Sequence, residues 1–129
     1  MIDLLPTFDQ PDLAVRLGEL SEAELDDLDF GVIGIDADGV VRRYNAFESK
    51  LAGLSPQRVL GYALFTTVAP CMNNFLVAQR FDDAKADGTR LDATIDYVLT
   101  LRMRPIKVKL RLLAEPGAAL RHVLVRRPS

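Results

Sequence analysis

The chain carries one thiol, Cys71, in the run Thr67-Val68-Ala69-Pro70-Cys71, and upstream it reads Tyr44-Asn45-Ala46-Phe47-Glu48. A thiol can hold a group covalently, a phenol can donate a hydrogen bond, and a carboxylic acid can keep or release a proton. Together these three could attach and tune a ligand. Most lone cysteines are simply small buried apolar side chains. Cys71 differs by its position in an irregular stretch after Pro70 and just before a helix start, where backbone N–H groups favour a reactive thiol.

A glutamate on a short helix is ordinarily solvated. Glu48, however, follows Phe47 and precedes Leu51 and Ala52, and residues three and four apart share a helix face. The spacing predicts Glu48, Leu51 and Ala52 together on an apolar face, where burial pushes a carboxylic acid toward its protonated form. Tyr44 closes the preceding strand as an aromatic with its hydroxyl at the core's edge. Its oxygen and that of Glu48, four residues on, can meet at one ligand oxygen.

The elements that must position these residues follow from patterning. Residues 1–28 read as an acidic helical cap and 29–129 as the core of a single domain. Pro11-Asp12-Leu13 suits a helix start, with Leu13, Val15, Leu17 and Leu20 as its apolar face and Gly18 as its limit. Ser21 with Glu24 is a capping-box pattern for a second short helix. Residues 32–36 and 40–44 form a hairpin around Asp36-Ala37-Asp38-Gly39. Asn45 caps the short helix carrying Glu48, and Ser55-Pro56 opens another helical turn. Asn73 or Asn74 caps a helix to about Ala86, with Val77, Phe81 and Ala84 on one side and Gly88 at its end. Residues 91–104 alternate apolar and polar side chains with Val98 as the exception, the mark of a long half-buried strand. Two further strands follow, at 106–112 and 121–127. Five antiparallel strands with helices between the second and third make an α+β domain that resembles the PAS architecture, with short helices on one face and the N-terminal cap on the other.

Composition narrows the function classes. Hydrophobic content of 49% and a net charge of −2 fit a globular chain with no general affinity for nucleic acid. Lys107, Lys109 and Arg111, with Arg102 and Arg104, form a basic strip read as a solvated outer face, or as a surface meeting the acidic segment 22–29. The N-terminus lacks a signal peptide and no apolar run has the length of a membrane span, so a reduced, cytoplasmic setting is expected. The one cysteine and one histidine speak against a dedicated zinc site. His122 has no nucleophile nearby in sequence, and no phosphate loop or dinucleotide fingerprint appears, so no enzyme is indicated. His122 is read as structural; a concrete alternative makes it an axial haem ligand, with Met103 as the second.

At Tyr44-Asn45-Ala46 with Glu48, at Val68-Ala69-Pro70-Cys71, and at Met103 and Pro105 before Lys107-Val108-Lys109, the chain resembles the photoactive yellow protein family of PAS-fold blue-light receptors. The resemblance runs from Leu25-Asp26-Asp27-Leu28-Asp29-Phe30-Gly31 to the last strand. It implies a 4-hydroxycinnamoyl (p-coumaric) thioester on Cys71, whose phenolate is held by Tyr44 and a protonated Glu48. It further implies light-driven isomerisation, proton transfer from Glu48 and loosening of the cap. The departures fall around that centre. Ala52 stands where the family usually has threonine, Leu54 where it has arginine, Leu64 and Leu99 where aromatics often line the chromophore, and His122 where it has tryptophan. Ala52, Leu54, Leu64, Leu99 and Met103 join Cys71, Tyr44 and Glu48 as the expected ligand-binding set. The second reading is a non-photoactive PAS sensor or dimerisation module that binds haem, another small ligand or none. Either reading needs a downstream signalling partner or self-association.

Overall fold

The computed structural model describes residues 5–100 and 104–128. Two short helices come first, α1 (Leu13–Glu19) and α2 (Glu22–Asp26), followed by strands β1 (Gly31–Ile35) and β2 (Val41–Tyr44). Helix α3 (Ala46–Ala52) follows β2 directly. Three single turns, at Pro56–Arg58, Leu64–Val68 and Pro70–Met72, lead to α4 (Ala78–Asp87). Strands β3 (Leu91–Leu99), β4 (Ile106–Ala114) and β5 (Arg121–Arg126) complete the sheet, which is antiparallel at every pairing and ordered β2-β1-β5-β4-β3.

Local chemistry accounts for the boundaries. In the β1–β2 turn, Asp36 Oδ1 accepts the N–H groups of Asp38 and Val40 at 2.9 and 3.0 Å, and Gly39 takes φ of 80°. The capping box at α2 is complete: Ser21 Oγ accepts from Glu24 N–H at 3.2 Å, and Glu24 Oε1 accepts from Ser21 N–H at 2.9 Å. Asn45 caps α3 by accepting from Glu48 N–H, and Gly88 closes α4 in the left-handed conformation. Asn74 acts earlier than expected. Its Oδ1 accepts from the N–H groups of Leu76 and Val77, so it caps a turn and α4 proper begins at Ala78.

The sheet carries a core on each face. On the inner face Ile33, Tyr44, Leu99, Leu110, Leu112 and Val123 pack against Leu64, Met72, Val77 and Phe81 from the helical layer. On the outer face Val32, Leu113 and Leu124 pack against Phe8, Leu13, Leu17, Leu25 and Phe30, so the cap has its own apolar cluster. Within α1, Leu13 and Leu17 are buried while Val15 is 63% exposed; a side chain two residues on points to the far side of a helix. In α3 the expected shared face of Glu48, Leu51 and Ala52 holds only in part: Glu48 and Ala52, four apart, are both buried, while Leu51 lies at the rim of that face and is 42% exposed.

The strip of basic residues is not a uniform solvated face. Lys109 is exposed and pairs with Asp96 at 2.7 Å. Arg111 is buried: it grips both carboxylate oxygens of Asp92 at 3.0 Å and donates to the Phe8 and Gln10 carbonyls at 2.8 Å. Glu22 in the acidic segment meets Arg43 of β2 instead, at 3.1 Å. Arg43 also donates to the carbonyls of Leu17 and Leu20 at 2.8 and 2.7 Å. Charged side chains on the sheet therefore hold the cap through its backbone. Leu101, Arg102 and Met103 lie outside the described residues.

His122 sits in the same layer. It pairs across β5 with Gly34 on one side and Leu113 on the other, and Gly34 pairs in turn with Arg43. Directly paired residues share a face, so His122 lies under the cap, away from the inner core. Burial, with a smaller contribution from the Arg43 charge, lowers its pKa to about 4. A histidine held neutral in the fold contributes stability that is complete above the ordinary value of 6.5 and lost as pH falls toward about 4. Urea unfolding at pH 7 and pH 4.5 should show a fall of about 2 kcal/mol from this group, and His122→Leu should remove that part of the pH dependence. An unchanged slope would disprove it.

Candidate functional site

Strand β2 ends at Tyr44 because Asn45 turns the chain into α3. Asn45 is buried and uses its whole amide: Oδ1 accepts from Val32 N–H at 2.9 Å and Glu48 N–H at 3.1 Å, while Nδ2 donates to the Leu25 and Phe30 carbonyls at 2.9 and 3.0 Å. That join places Glu48 in the first turn of α3, facing the inner side of the sheet. Its carboxylate occupies space beside Gly31, where a Cβ would collide with Oε1 and lie 3.0 Å from Cδ. The glycine is needed here for clearance.

Glu48 has a partner that its sequence neighbourhood does not reveal. Arg127, just past β5, donates from Nη1 to Oε1 at 2.7 Å and from Nη2 to Oε2 at 3.1 Å. The side chains of Arg127 and Glu48 are 9% and 2% exposed, so this is a buried bidentate pair. Burial raises the Glu48 pKa, and the Arg127 hydrogen bonds and charge oppose that rise. Tyr44 is kept firmly as a phenol: burial raises its pKa most, the Glu48 carboxylate adds to this, and Arg127 works the other way. Tyr44 is thus a hydrogen-bond donor beside an acid whose charge depends on its partner.

Cys71 lies in the single turn Pro70–Met72, half-buried against the inner core. Its backbone is pinned. Tyr97 of β3 donates its hydroxyl to the Cys71 carbonyl at 2.5 Å, and Asn74 Nδ2 donates to that carbonyl at 3.2 Å and to the Tyr97 hydroxyl at 2.6 Å. Neither role was read from the sequence, where Tyr97 figured as a strand residue and Asn74 as a helix cap. An open cleft of about 820 Å³ runs from Tyr97, Val98 and Leu76 to Arg127 and Pro128. It therefore touches both the residue that holds Cys71 and the residue that holds Glu48.

Of the expected ligand-binding set, Tyr44, Leu64 and Leu99 belong to the buried inner core, with Leu54 and Cys71 packed against it. Ala52 is buried one turn after Glu48. Met103 lies outside the described residues. His122 does not join this set, because it faces the cap, so the haem alternative would need a ligand on the wrong side of the sheet for this core.

The space beside Gly31 makes a direct test. Gly31→Ala should force the Glu48 carboxylate off Arg127 and cost about 1–3 kcal/mol, the usual range for overpacking. Urea unfolding measures the cost, and the NMR signals of the Arg127 guanidinium report the lost pair. A variant with wild-type stability and unaltered Arg127 signals would refute the steric role.

The PAS fold family model matches residues 19–126. The chain is 38% identical over 105 residues to photoactive yellow protein from Rhodothalassium salexigens, covering 81% of this chain and 83% of that protein. It is 36% identical over 105 residues, with the same coverage, to photoactive yellow protein from Halochromatium salexigens. Among solved structures it is similar to the photoactive yellow protein domain of a sensor histidine kinase from Rhodospirillum centenum, at 38% identity and a TM-score of 0.78, covering 85% of this chain and 96% of that one. The PAS domain of Bordetella pertussis BvgS, 15% identical with a TM-score of 0.59, shares the fold. With its PAS sheet, its pinned lone cysteine and its buried tyrosine and glutamate, the chain belongs to the photoactive yellow protein family.

Proposed function

We propose that this protein is a blue-light photoreceptor that carries a 4-hydroxycinnamoyl group as a thioester on Cys71. The observation that carries the reading is the burial of Tyr44 and Glu48 on the inner face that also receives Cys71. The donor chemistry fits such a group. Tyr44 is held as a phenol and can donate without competing as an anion. Glu48 is a buried acid whose pKa is raised by desolvation, against the pull of the Arg127 hydrogen bonds and charge, so leaving Arg127 favours its protonated form.

When bound, the 4-hydroxycinnamoyl group supplies a phenolic oxygen and a double bond that isomerises in light. Cys71 Sγ would carry the thioester, at a point whose backbone Tyr97 and Asn74 fix through its carbonyl. Tyr44 Oη–H and a protonated Glu48 would be the donors to the phenolate oxygen; hydrogen bonds to a charged oxygen are roughly twice as strong as neutral ones. Glu48 would be the acid that gives up its proton when the light-driven change calls for one. A change of charge on a buried acid reorders the groups that pair with it, and Asn45 links the first turn of α3 to Leu25 in the cap and to Phe30 just before β1. The cap at residues 1–28 is the element proposed to respond, signalling to a partner protein or a second copy of the chain. A role as a sensor in the cytoplasm, with no chemistry of its own on substrates, goes with this reading. Among the described residues no helix is long and apolar enough to cross a membrane.

The test is to mix apoprotein with an activated ester of 4-hydroxycinnamic acid and record intact mass and visible absorption. Wild type should gain one adduct and a visible band, and Cys71→Ser should show neither. Glu48→Gln should keep the adduct and move the band to longer wavelength, because an amide is the weaker donor. With alanine at position 52 and leucine at 54, where the resemblance leads one to expect threonine and arginine, neutral and ionised forms of the bound phenol should coexist near neutral pH. Wild-type protein that takes up no adduct at Cys71 would end the photoreceptor reading in favour of a non-photoactive PAS module.

A further inference from the structure

Glu48 cannot serve Arg127 and a phenolate in the same state. Both terminal nitrogens of Arg127 are spent on its two carboxylate oxygens, at 2.7 and 3.1 Å, an arrangement that calls for an ionised carboxylate. Donating to a phenolate calls for a protonated carboxyl turned away from that fork. The two states share one side chain, and Arg127 stays positive in both. Arg127 Nε is buried with no hydrogen-bond partner among the described residues, so the guanidinium keeps a donor in reserve for a second arrangement. Its neighbour Arg126 donates to Asp9 at 2.9 Å and lies 4.8 Å from the centre of the Phe8 ring, both in the segment before α1. A change at Arg127 is thus one residue from a grip on the N-terminal segment.

We propose that Arg127 is the counterion of Glu48: it sets when Glu48 ionises, and it takes the carboxylate once the proton has gone to the ligand oxygen. The light-cycle half of this rests on the photoreceptor reading; the ionisation half does not. The step balances simply. The Glu48 O–H bond breaks, an O–H bond forms on the phenolate, and the negative charge moves from the ligand to Glu48, where Arg127 pairs it. The charged group acting on Glu48 is Arg127, after β5; Tyr44, at the end of β2, is itself held neutral partly by Glu48, and Gly31 on β1 contributes space and no charge. Arg127 is a positioning residue, since the group it touches is Glu48.

The ionisation half is read in apoprotein. Glutamate labelled with ¹³C at the side-chain carboxyl is titrated by NMR, with Glu48 assigned by the signal missing in Glu48→Gln. In wild type the Arg127 Nη signals should shift with the same midpoint as the Glu48 carboxyl. Arg127→Gln should raise that midpoint, weakening the acid about tenfold or more, while Arg127→Lys, which keeps the charge, should stay nearer wild type. In protein loaded with chromophore, Arg127→Gln should speed recovery after a flash about tenfold, because the ionised Glu48 state has lost its partner, and Arg127→Lys should restore part of the lifetime. An Arg127 signal that ignores the Glu48 titration overturns the proposal even if Arg127→Gln fails to fold. An unchanged midpoint in Arg127→Gln overturns it too, and unchanged recovery overturns the light-cycle half. Failure to load chromophore with the midpoint raised sinks the photoreceptor reading and supports Arg127 as counterion.

Discussion

Asn45 is the joint on which the rest of the structure depends. A single amide caps α3, accepts from β1 at Val32 and donates to two carbonyls at the end of the cap, Leu25 and Phe30. Few side chains could do this, because the task needs two donors and a shared acceptor on one short stem. Burial makes the requirement strict, since any bond lost there strands a polar group out of reach of water. Its consequence is geometric. The first turn of α3, and with it Glu48, cannot shift without disturbing the residues that lead from the cap into β1.

The cap is held in the same style along its length. Arg43 and Arg111 reach through the outer face to backbone carbonyls at Leu17, Leu20, Phe8 and Gln10, and each also grips a carboxylate. These bonds orient the cap more than they glue it; the Phe8, Leu13, Leu17 and Leu25 cluster supplies the apolar burial. A layer attached by a modest apolar cluster and by direction-sensitive polar bonds is suited to conditional release. Its packing can weaken while the inner core, which has its own larger cluster, stays intact.

Much of this was legible in the sequence because it is periodic or local. Alternation over residues 91–104, broken at Val98, predicts the strand observed at Leu91–Leu99, the Ser21–Glu24 spacing predicts the capping box, and Asn45 and Gly88 mark helix ends by residue type. Tyr44 and Glu48 stood out because they are close in sequence and the helix geometry between them is simple. What stayed hidden depends on contacts between distant segments. Arg127 lies 79 residues from Glu48 and Tyr97 lies 26 from Cys71, and nothing local to a terminal Arg126-Arg127 pair says that one of them turns inward. The basic strip misled for a related reason. Alternation says that Arg111 leaves the inner face, but the cap covering the outer face is a tertiary fact, and it turns an expected surface charge into a buried anchor.

The substitutions around the ligand-binding set gain a physical meaning from Arg127. At Leu54, where the resemblance leads one to expect an arginine, this chain has a side chain packed against the inner core, and Ala52, Leu64 and Leu99 beside it are apolar and buried. A pocket so depleted of polar support could not host an ionised Glu48 by itself. A cation comes instead from the other end of the sequence, on a residue that follows the central strand β5 and shares that segment with the Arg126 contact to Asp9 and Phe8. Moving the compensating charge there changes what its rearrangement can reach. A cation on the loop after α3 would answer to the helical layer; one after β5 answers to the N-terminal segment. On the counterion proposal, the ionisation state of this one buried acid would reach the N-terminal segment through Arg127 and Arg126 as well as through Asn45.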